Sequence, residues 1–250
     1  MIAGKNAHPV TQAWGIDAPL HRLEGGHRNQ VFCTSGLSKN MVFKSTQRSE
    51  KAISWLDKVH VHAEMAGFTI PRLQRSFKGK FIENGWTVEP FMQGRAFRPS
   101  ELGSLRANIQ KFHTLCQDIP QRPGFLNAVS LCFTPKGGDI DLDDMPANLV
   151  AECRQAWRVL EGQAQSVVHG DLNCANVLKG ASGRVILLDW DETRLDACVL
   201  DIAAITDAAK VNNAVLRAAV AWEIACAWHI EPSYAMGLVE SFMSKLDDIK

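Results

Sequence analysis

The run Val168-His169-Gly170-Asp171-Leu172-Asn173-Cys174-Ala175-Asn176-Val177-Leu178, followed by Leu187-Leu188-Asp189-Trp190-Asp191-Glu192, decides how the chain is read. Val167-Val168 is a short apolar strand that delivers a polar loop. Val177-Leu178 and Val185-Ile186-Leu187-Leu188 read as two more short strands, joined by a turn. The loop therefore carries Asp171 and Asn176, and the returning strand ends at Asp189. Three oxygen-bearing side chains are expected to converge there. Carboxylate and amide oxygens suit a hard cation such as Mg2+, which takes few protein ligands and completes its shell with phosphate oxygens. A carboxylate five residues ahead of the amide is left to face an incoming hydroxyl.

Composition narrows the surroundings of this loop. The 250 residues hold 27 basic and 27 acidic side chains, so formal net charge is zero, and 46% of residues are apolar. So much apolar surface excludes disorder as the main state. A dedicated nucleic-acid binder is disfavoured, because no basic excess exists to neutralise phosphates. No uninterrupted apolar stretch approaches the roughly 18 residues of a membrane span. The opening Met1-Ile2-Ala3-Gly4-Lys5-Asn6 lacks the apolar core of a secretion signal. Seven cysteines (Cys33, Cys116, Cys132, Cys153, Cys174, Cys198 and Cys226) lie far apart with no C-x-x-C pair. Reduced thiols in a cytoplasmic protein are the expectation, with neither a zinc site nor a disulfide framework.

Outward from the loop, the chain divides in two. Val31-Phe32-Cys33, Met41-Val42-Phe43 and Trp86-Thr87-Val88 favour strands, and Asn84-Gly85 is a strong hairpin-turn signal. Between them the spacing of Ile53, Leu56, Val59 and Ala63 predicts a helix over about 49 to 66, with Ser49 as its cap and Gly67 as its stop. From residue 99 the pattern is helical. Leu102, Leu105, Ile109, Phe112 and Leu115 form one stripe, and Leu149, Val150, Cys153, Ala156, Trp157 and Leu160 another. Residues 119–146 read as irregular. The last fifty residues read as three helices, the one around 213–228 apolar almost all round and hence buried. We read an α+β chain with a sheet-rich part, 1–93, and a helical part, 94–250, joined near Gln93-Gly94-Arg95. Ligands usually bind in the cleft that such lobes make.

The blocks HGDLNCANVL at 169–178 and LLDWDE at 187–192 resemble the catalytic and metal-binding blocks of the aminoglycoside phosphotransferase and choline kinase group, whose members share the protein-kinase fold. That resemblance implies a bilobal fold, with a small antiparallel sheet and one helix in the N-terminal lobe and a mainly helical C-terminal lobe. It implies transfer of the γ-phosphoryl group of ATP, with GTP left open, to a hydroxyl of a small molecule. Asp171 is then the catalytic base, and Asn176 and Asp189 hold Mg2+. Lys44, at the end of Met41-Val42-Phe43-Lys44, is expected on the α/β-phosphates, with Glu50 fixing it and Asp57 and Glu64 as rivals further along the helix. Gly25 and Gly26 are expected to let backbone N–H groups approach phosphate. The hinge, 88–93, is expected to receive adenine on the Glu89 carbonyl and the Phe91 N–H. Gly170 stands where protein kinases usually have arginine, which favours a small-molecule acceptor. The acidic run Asp139, Asp141, Asp143 and Asp144 would suit an amine-bearing acceptor such as an aminoglycoside or a choline-like compound. A non-catalytic nucleotide-binding regulator of the same fold is the competing reading. Oligomeric state is left open.

Overall fold

The computed structural model describes residues 8–24 and 28–244. In chain order its elements are β1 (Leu20–Leu23), β2 (Val31–Thr34), β3 (Met41–Ser45), α1 (Glu50–Met65), β4 (Trp86–Pro90), β5 (Arg95–Ala96), α2 (Pro99–Leu102), α3 (Arg106–Cys116), α4 (Ala128–Leu131), β6 (Lys136–Gly137), β7 (Ile140–Asp141), α5 (Ala147–Trp157), β8 (Gln165–Val168), β9 (Val177–Lys179), β10 (Val185–Leu187), β11 (Arg194–Ala197), α6 (Val199–Ala204), α7 (Asn213–Ala227) and α8 (Pro232–Ser244).

The chain forms two compact units. The first contains residues up to Ala96 together with Val177–Leu188, and the second contains Phe97–Asn176 and the chain from Asp189 on. In the first, β1-β2-β3-β4 make an antiparallel sheet in that order. Alternation along β3 buries Phe43 completely and turns Lys44 to the other face. Phe43 joins Phe32, Trp86 and Val88 in a small core. β4 is launched by a tight turn: Asn84 and Gly85 both take positive φ, 49° and 81°, as a two-residue type I′ hairpin needs. Glu83 and Trp86 close it with reciprocal backbone bonds of 3.1 and 3.0 Å. Helix α1 begins where the Ser49 hydroxyl accepts the Ala52 N–H (3.2 Å), and it stops before Gly67, at φ 102°. It buries Ile53, Leu56, Val59 and Ala63, the predicted stripe. A second sheet, β10-β9-β5, draws the later hairpin into this unit. Thr69 bonds on both sides of Ile186, to Val185 O (2.8 Å) and from Leu187 N (3.1 Å). Gly94 permits the approach of β5, because a Cβ there would lie 2.9 Å from the Leu178 Cβ.

The second unit is built on α5, α7 and α8. Leu149, Cys153 and Trp157 of α5 pack with Ala218, Ala221, Trp222 and Ala225 of α7 and Phe242 of α8 in one cluster. Each fully buried large apolar side chain contributes about 1.5–3 kcal/mol relative to exposure, and small residues on α7 let the neighbouring helices come close. The stretch 119–146 is not irregular throughout. It forms α4, with the Asn127 side chain as its cap (2.8 Å to Ser130 N), and the β6–β7 hairpin. Strand β1 is also new, since Leu-His-Arg-Leu shows little apolar signal and half of it is exposed. All seven cysteines are free thiols, and burial pushes Cys116 and Cys153 up to about 12. Among the described residues no helix is long and apolar enough to cross a membrane.

Candidate active site

β8 runs into the loop that carries Asp171. Its antiparallel partner β11 sets Val168 opposite Arg194, so the loop starts beside the segment that follows Asp189. The two backbone N–H groups at the start of the loop dock on one buried carboxylate of α6: His169 N–H donates to Asp201 Oδ2 (2.8 Å) and Gly170 N–H to Asp201 Oδ1 (3.0 Å). His113 of α3 meets the same Oδ2 with Nε2 at 3.0 Å. Gly170 has φ 86°, where a side chain is strained, and a Cβ there would lie 2.7 Å from Arg194 Nη1 and 2.8 Å from the Glu192 carbonyl. That space leaves no room for a side chain at Gly170 unless its neighbours shift.

Two amides orient the aspartate. Asn173 Nδ2 donates to Asp171 Oδ1 (2.7 Å), and Asn176 Nδ2 donates to Asp171 Oδ2 (2.7 Å) and to its carbonyl (3.0 Å). Asn173 Oδ1 in turn accepts the N–H groups of Ala175 (2.8 Å) and Asn176 (3.1 Å), closing the loop on itself. With its NH2 group engaged, Asn176 presents its amide oxygen, which accepts no hydrogen bond among the described residues. The chain then enters the β9–β10 hairpin. Val177 pairs with Leu187, so the chain leaves at Asn176 and returns at Asp189 with these residues flanking the same hairpin end. Asp189 is exposed and has φ 54°, the left-handed region. One amide oxygen and one exposed carboxylate at a shared hairpin end are a donor set that fits Mg2+.

The charges around the loop are strongly biased. Burial would lower the His113 imidazole, but hydrogen bonding to Asp201, with the Cys198 side chain beside it, raises it to about 9. Burial would likewise raise the Asp201 carboxyl, and the bond and charge of His113 with the Gly170 N–H hold it below the ordinary range instead. The two therefore form an ion pair at neutral pH. On α7, desolvation and the charges of Glu192 and Asp171 push the Glu223 carboxyl up, against a hydrogen bond from the Tyr234 hydroxyl (2.9 Å). Trp222 Nε1 donates to Glu192 (3.2 Å).

Lys44 lies on β3 opposite Val31 and Thr87. The Glu50 carboxylate, expected on Lys44, accepts the N–H groups of Phe81 (2.8 Å) and Ile82 (3.1 Å). Those amides precede the β4 hairpin and would otherwise lack partners. The rivals Asp57 and Glu64 both bind Arg72, at 2.6 and 3.0 Å. The expected hinge groups, the Glu89 carbonyl and the Phe91 N–H, lie at the β3–β4 ladder. Phe91 N–H donates to Asn40 O (2.8 Å) and Thr46 N–H to Gly85 O (2.7 Å), bracketing the β3–β4 ladder. In an antiparallel ladder bonded pairs recur every second residue, so the pair Val42–Glu89 also faces inward. The Glu89 carbonyl and Phe91 N–H thus point into β3. The outward edge belongs to Val88, whose carbonyl accepts Gln74 N–H (2.7 Å), and then to Pro90 at the strand end. Gly25 and Gly26 lie outside the described residues.

Several residues at this site had no sequence signal of their own. Asn173 sits inside the quoted motif, yet its two-way role appears only in the fold. His113, Arg122 and Arg194 act from sites remote in sequence or are buried cations, which composition does not reveal.

The fold recurs in solved structures. The microcompartment-associated aminopropanol kinase aligns with a TM-score of 0.64 at 14% identity, over 93% of this chain and 92% of that one. Choline kinase LicA from Streptococcus pneumoniae aligns with 0.63 at 14% identity, over 93% and 95%. Spectinomycin phosphotransferase, in complex with ADP and spectinomycin, aligns with 0.58 at 13% identity, over 95% and 89%. At these identities the likeness shows the protein-kinase-like fold alone. No curated protein sequence matches the chain. The sequence profile of the phosphotransferase enzyme family matches residues 19–228, most of both units and the whole of the Asp171 loop. The chain belongs to the phosphotransferase enzyme family.

Proposed function

We propose that this small-molecule phosphotransferase moves the γ-phosphoryl group of a nucleoside triphosphate to a hydroxyl, with Asp171 receiving the acceptor proton. The observation that carries this reading is the double amide clamp on the Asp171 carboxylate, with Asn173 and Asn176 each at 2.7 Å. A carboxylate held on both oxygens cannot swing away, and orienting the attacking hydroxyl is most of what a protein contributes to phosphoryl transfer. The Asn176 amide oxygen and the Asp189 carboxylate would hold Mg2+, which when bound neutralises phosphate charge. Lys44 would hold phosphates from the first unit. Glu50, whose oxygens each accept one amide, keeps lone pairs with which it could also meet Lys44. The Pro90 carbonyl at the outward edge of β4 would suit a purine edge, with the Met92 N–H just beyond the strand as a candidate donor. Neighbouring folds include complexes with ADP, which supports a nucleotide as donor.

The acceptor fits an amine-bearing alcohol. Negative charge gathers around Asp171: Glu223 is pushed up by the charges of Glu192 and Asp171 after desolvation, a sign that another cation would be welcome there. The acidic run read from the sequence serves less well. Asp141 and Asp143 bind Lys136 (2.7 and 3.4 Å) and Asp144 binds His229 (3.2 Å). The neighbours named for choline, aminopropanol and spectinomycin are in keeping with this class.

The test is a panel of amino alcohols, aminoglycosides, sugars and nucleosides with ATP or GTP, read by product mass, with Asp171→Ala as control. Phosphorylated product from the wild type and none from the variant supports the reading. Nucleotide binding without any product would instead favour a regulatory protein.

A further inference from the structure

Four consecutive carbonyls follow Asp189, and every one of them meets a buried guanidinium. Arg122 Nη1 donates to the carbonyls of Trp190 (3.2 Å), Asp191 (2.8 Å) and Thr193 (3.2 Å). Arg194 Nη1 donates to the fourth, Glu192 O, at 3.0 Å. Each arginine is 1% exposed. We propose that Arg122 and Arg194 are positioning residues for Asp189, fixing the backbone from which its carboxylate projects toward metal. This rests on the reading of Asp189 as a Mg2+ ligand.

The physical case begins with cost. An arginine is seldom buried, and taking its charge out of water costs several kcal/mol, offset at Arg122 through the three carbonyls that Nη1 meets. An irregular stretch of backbone has the complementary need, since its buried carbonyls have no ladder to bond with. The surroundings add rigidity. The Arg122 guanidinium lies 4.5 Å from the Phe125 ring centroid, and the Arg194 guanidinium lies 3.3 Å from that of Trp222 and binds Asp196 at 2.8 Å. Gln121 extends the grip by pairing with Leu195 both ways, each at 2.9 Å. The Trp190 ring sits against Phe112 (5.8 Å) and His169 (4.6 Å).

What this scaffold holds is a strained point. Asp189 is not glycine, yet has φ 54°. The left-handed region costs a non-glycine residue about 1–2 kcal/mol, and such conformations persist where the surroundings over-determine them. Without the arginines the carbonyls of 190–193 lose these bonds, keeping the Thr193 N–H on Trp190 O (3.4 Å), and Asp189 would relax toward an ordinary φ. A ligand misplaced by such a change binds its cation less well, while the nucleotide's own contacts are untouched.

The test measures Mn2+ affinity in the presence of ADP by electron paramagnetic resonance, alongside metal-free ADP affinity, for the full chain and for Arg122→Met, Arg122→Lys and Asp189→Asn. Losing a residue that orients a metal ligand typically costs 10–100-fold in metal affinity, so Arg122→Met is expected to weaken Mn2+ by about that factor while metal-free ADP binding stays within about twofold. If the methionine variant does not fold, Arg122→Lys decides. It keeps the buried charge but loses the planar fork, and is expected to weaken Mn2+ by roughly five- to tenfold at unchanged metal-free ADP affinity. Folded Arg122 variants that bind Mn2+ like the wild type, with Asp189→Asn impaired, would overturn the positioning role alone. An equal loss of metal-free ADP binding would overturn it too, by pointing to a general anchor. Unchanged Mn2+ affinity in Asp189→Asn would overturn the ligand assignment beneath it.

Discussion

The loop from His169 to Asn176 and the strand edge from Val88 to Pro90 are proposed to serve one reaction, and they are held in different ways. In the loop, side chains do the holding: Asp201 takes two N–H groups, and Asn173 and Asn176 take the Asp171 carboxylate. At the edge, the backbone ladder does it, and which carbonyl faces out depends on a strand phase set at Asn40 and Thr46. Side-chain identity is written in the sequence at the place where it acts. Ladder phase is not, and a shift of one residue reverses every group. The local contacts of the loop could therefore be anticipated from its side chains, whereas the direction of each group along the edge could not.

That contrast breaks most readily at Asp201. Replacing it with asparagine leaves His113 as a buried cation without its counter-charge and weakens two loop attachments. We expect a loss of about 3–5 kcal/mol, as for breaking one side of a buried ion pair, measured as a lower urea midpoint, together with a fall in turnover. A change under about 1 kcal/mol would mean the loop is held by Asn173 and Asn176 alone.

The same pair gives a pH signature. His113 is raised to about 9 from an ordinary 6.5, so its stabilisation is fully present below about 6.5, declines above that, and is lost as pH rises through about 9. The size is on the order of 3 kcal/mol. Asp201, held low, contributes above its ordinary value and loses that contribution as pH falls through its depressed one. Urea midpoints from pH 6 to 10 should fall on the alkaline side in the wild type and flatten in His113→Gln. Parallel curves would contradict the pairing.

Gly170→Ala tests the loop sterically. The left-handed backbone alone costs about 1–2 kcal/mol, and the contacts at 2.7 and 2.8 Å with Arg194 and Glu192 add to it. Thermal unfolding at neutral pH reads the loss, and an unchanged midpoint would show that the loop can re-form around a side chain.

The smallest expected effect sharpens the edge. Met92→Pro removes the candidate N–H just beyond β4 and should raise the apparent Kd for ATP by roughly three- to tenfold, the value of about one hydrogen bond, with little change in unfolding midpoint. No change in ATP affinity would move the purine elsewhere.

The extent of legibility follows the range of each interaction. The Ser49 cap, the Gly67 stop and the Asn84-Gly85 turn are local, and all three appear as read. The stripe from Leu149 to Leu160 and the apolar helix at 213–227 declared their burial through periodicity. The hidden features span the chain. His113 meets Asp201 from 88 residues away, and Arg122 meets Trp190 from 68. Strand β1 carries His21 and Arg22 and shows no alternation strong enough to read. Glu50 was recognised at its helix end, but its partners lie 31 and 32 residues on, in a stretch with no motif.

The division of labour at the loop is tested most directly by single-turnover transfer and Mg·ADP affinity in Asp171→Ala, using an acceptor found with the product-mass panel. If Asp171 receives the hydroxyl proton while Asn176 and Asp189 hold the metal, transfer falls by about 10²–10⁴ and Mg·ADP affinity is nearly unchanged. Transfer at the wild-type rate, or a loss explained entirely by weaker Mg·ADP binding, would contradict that division.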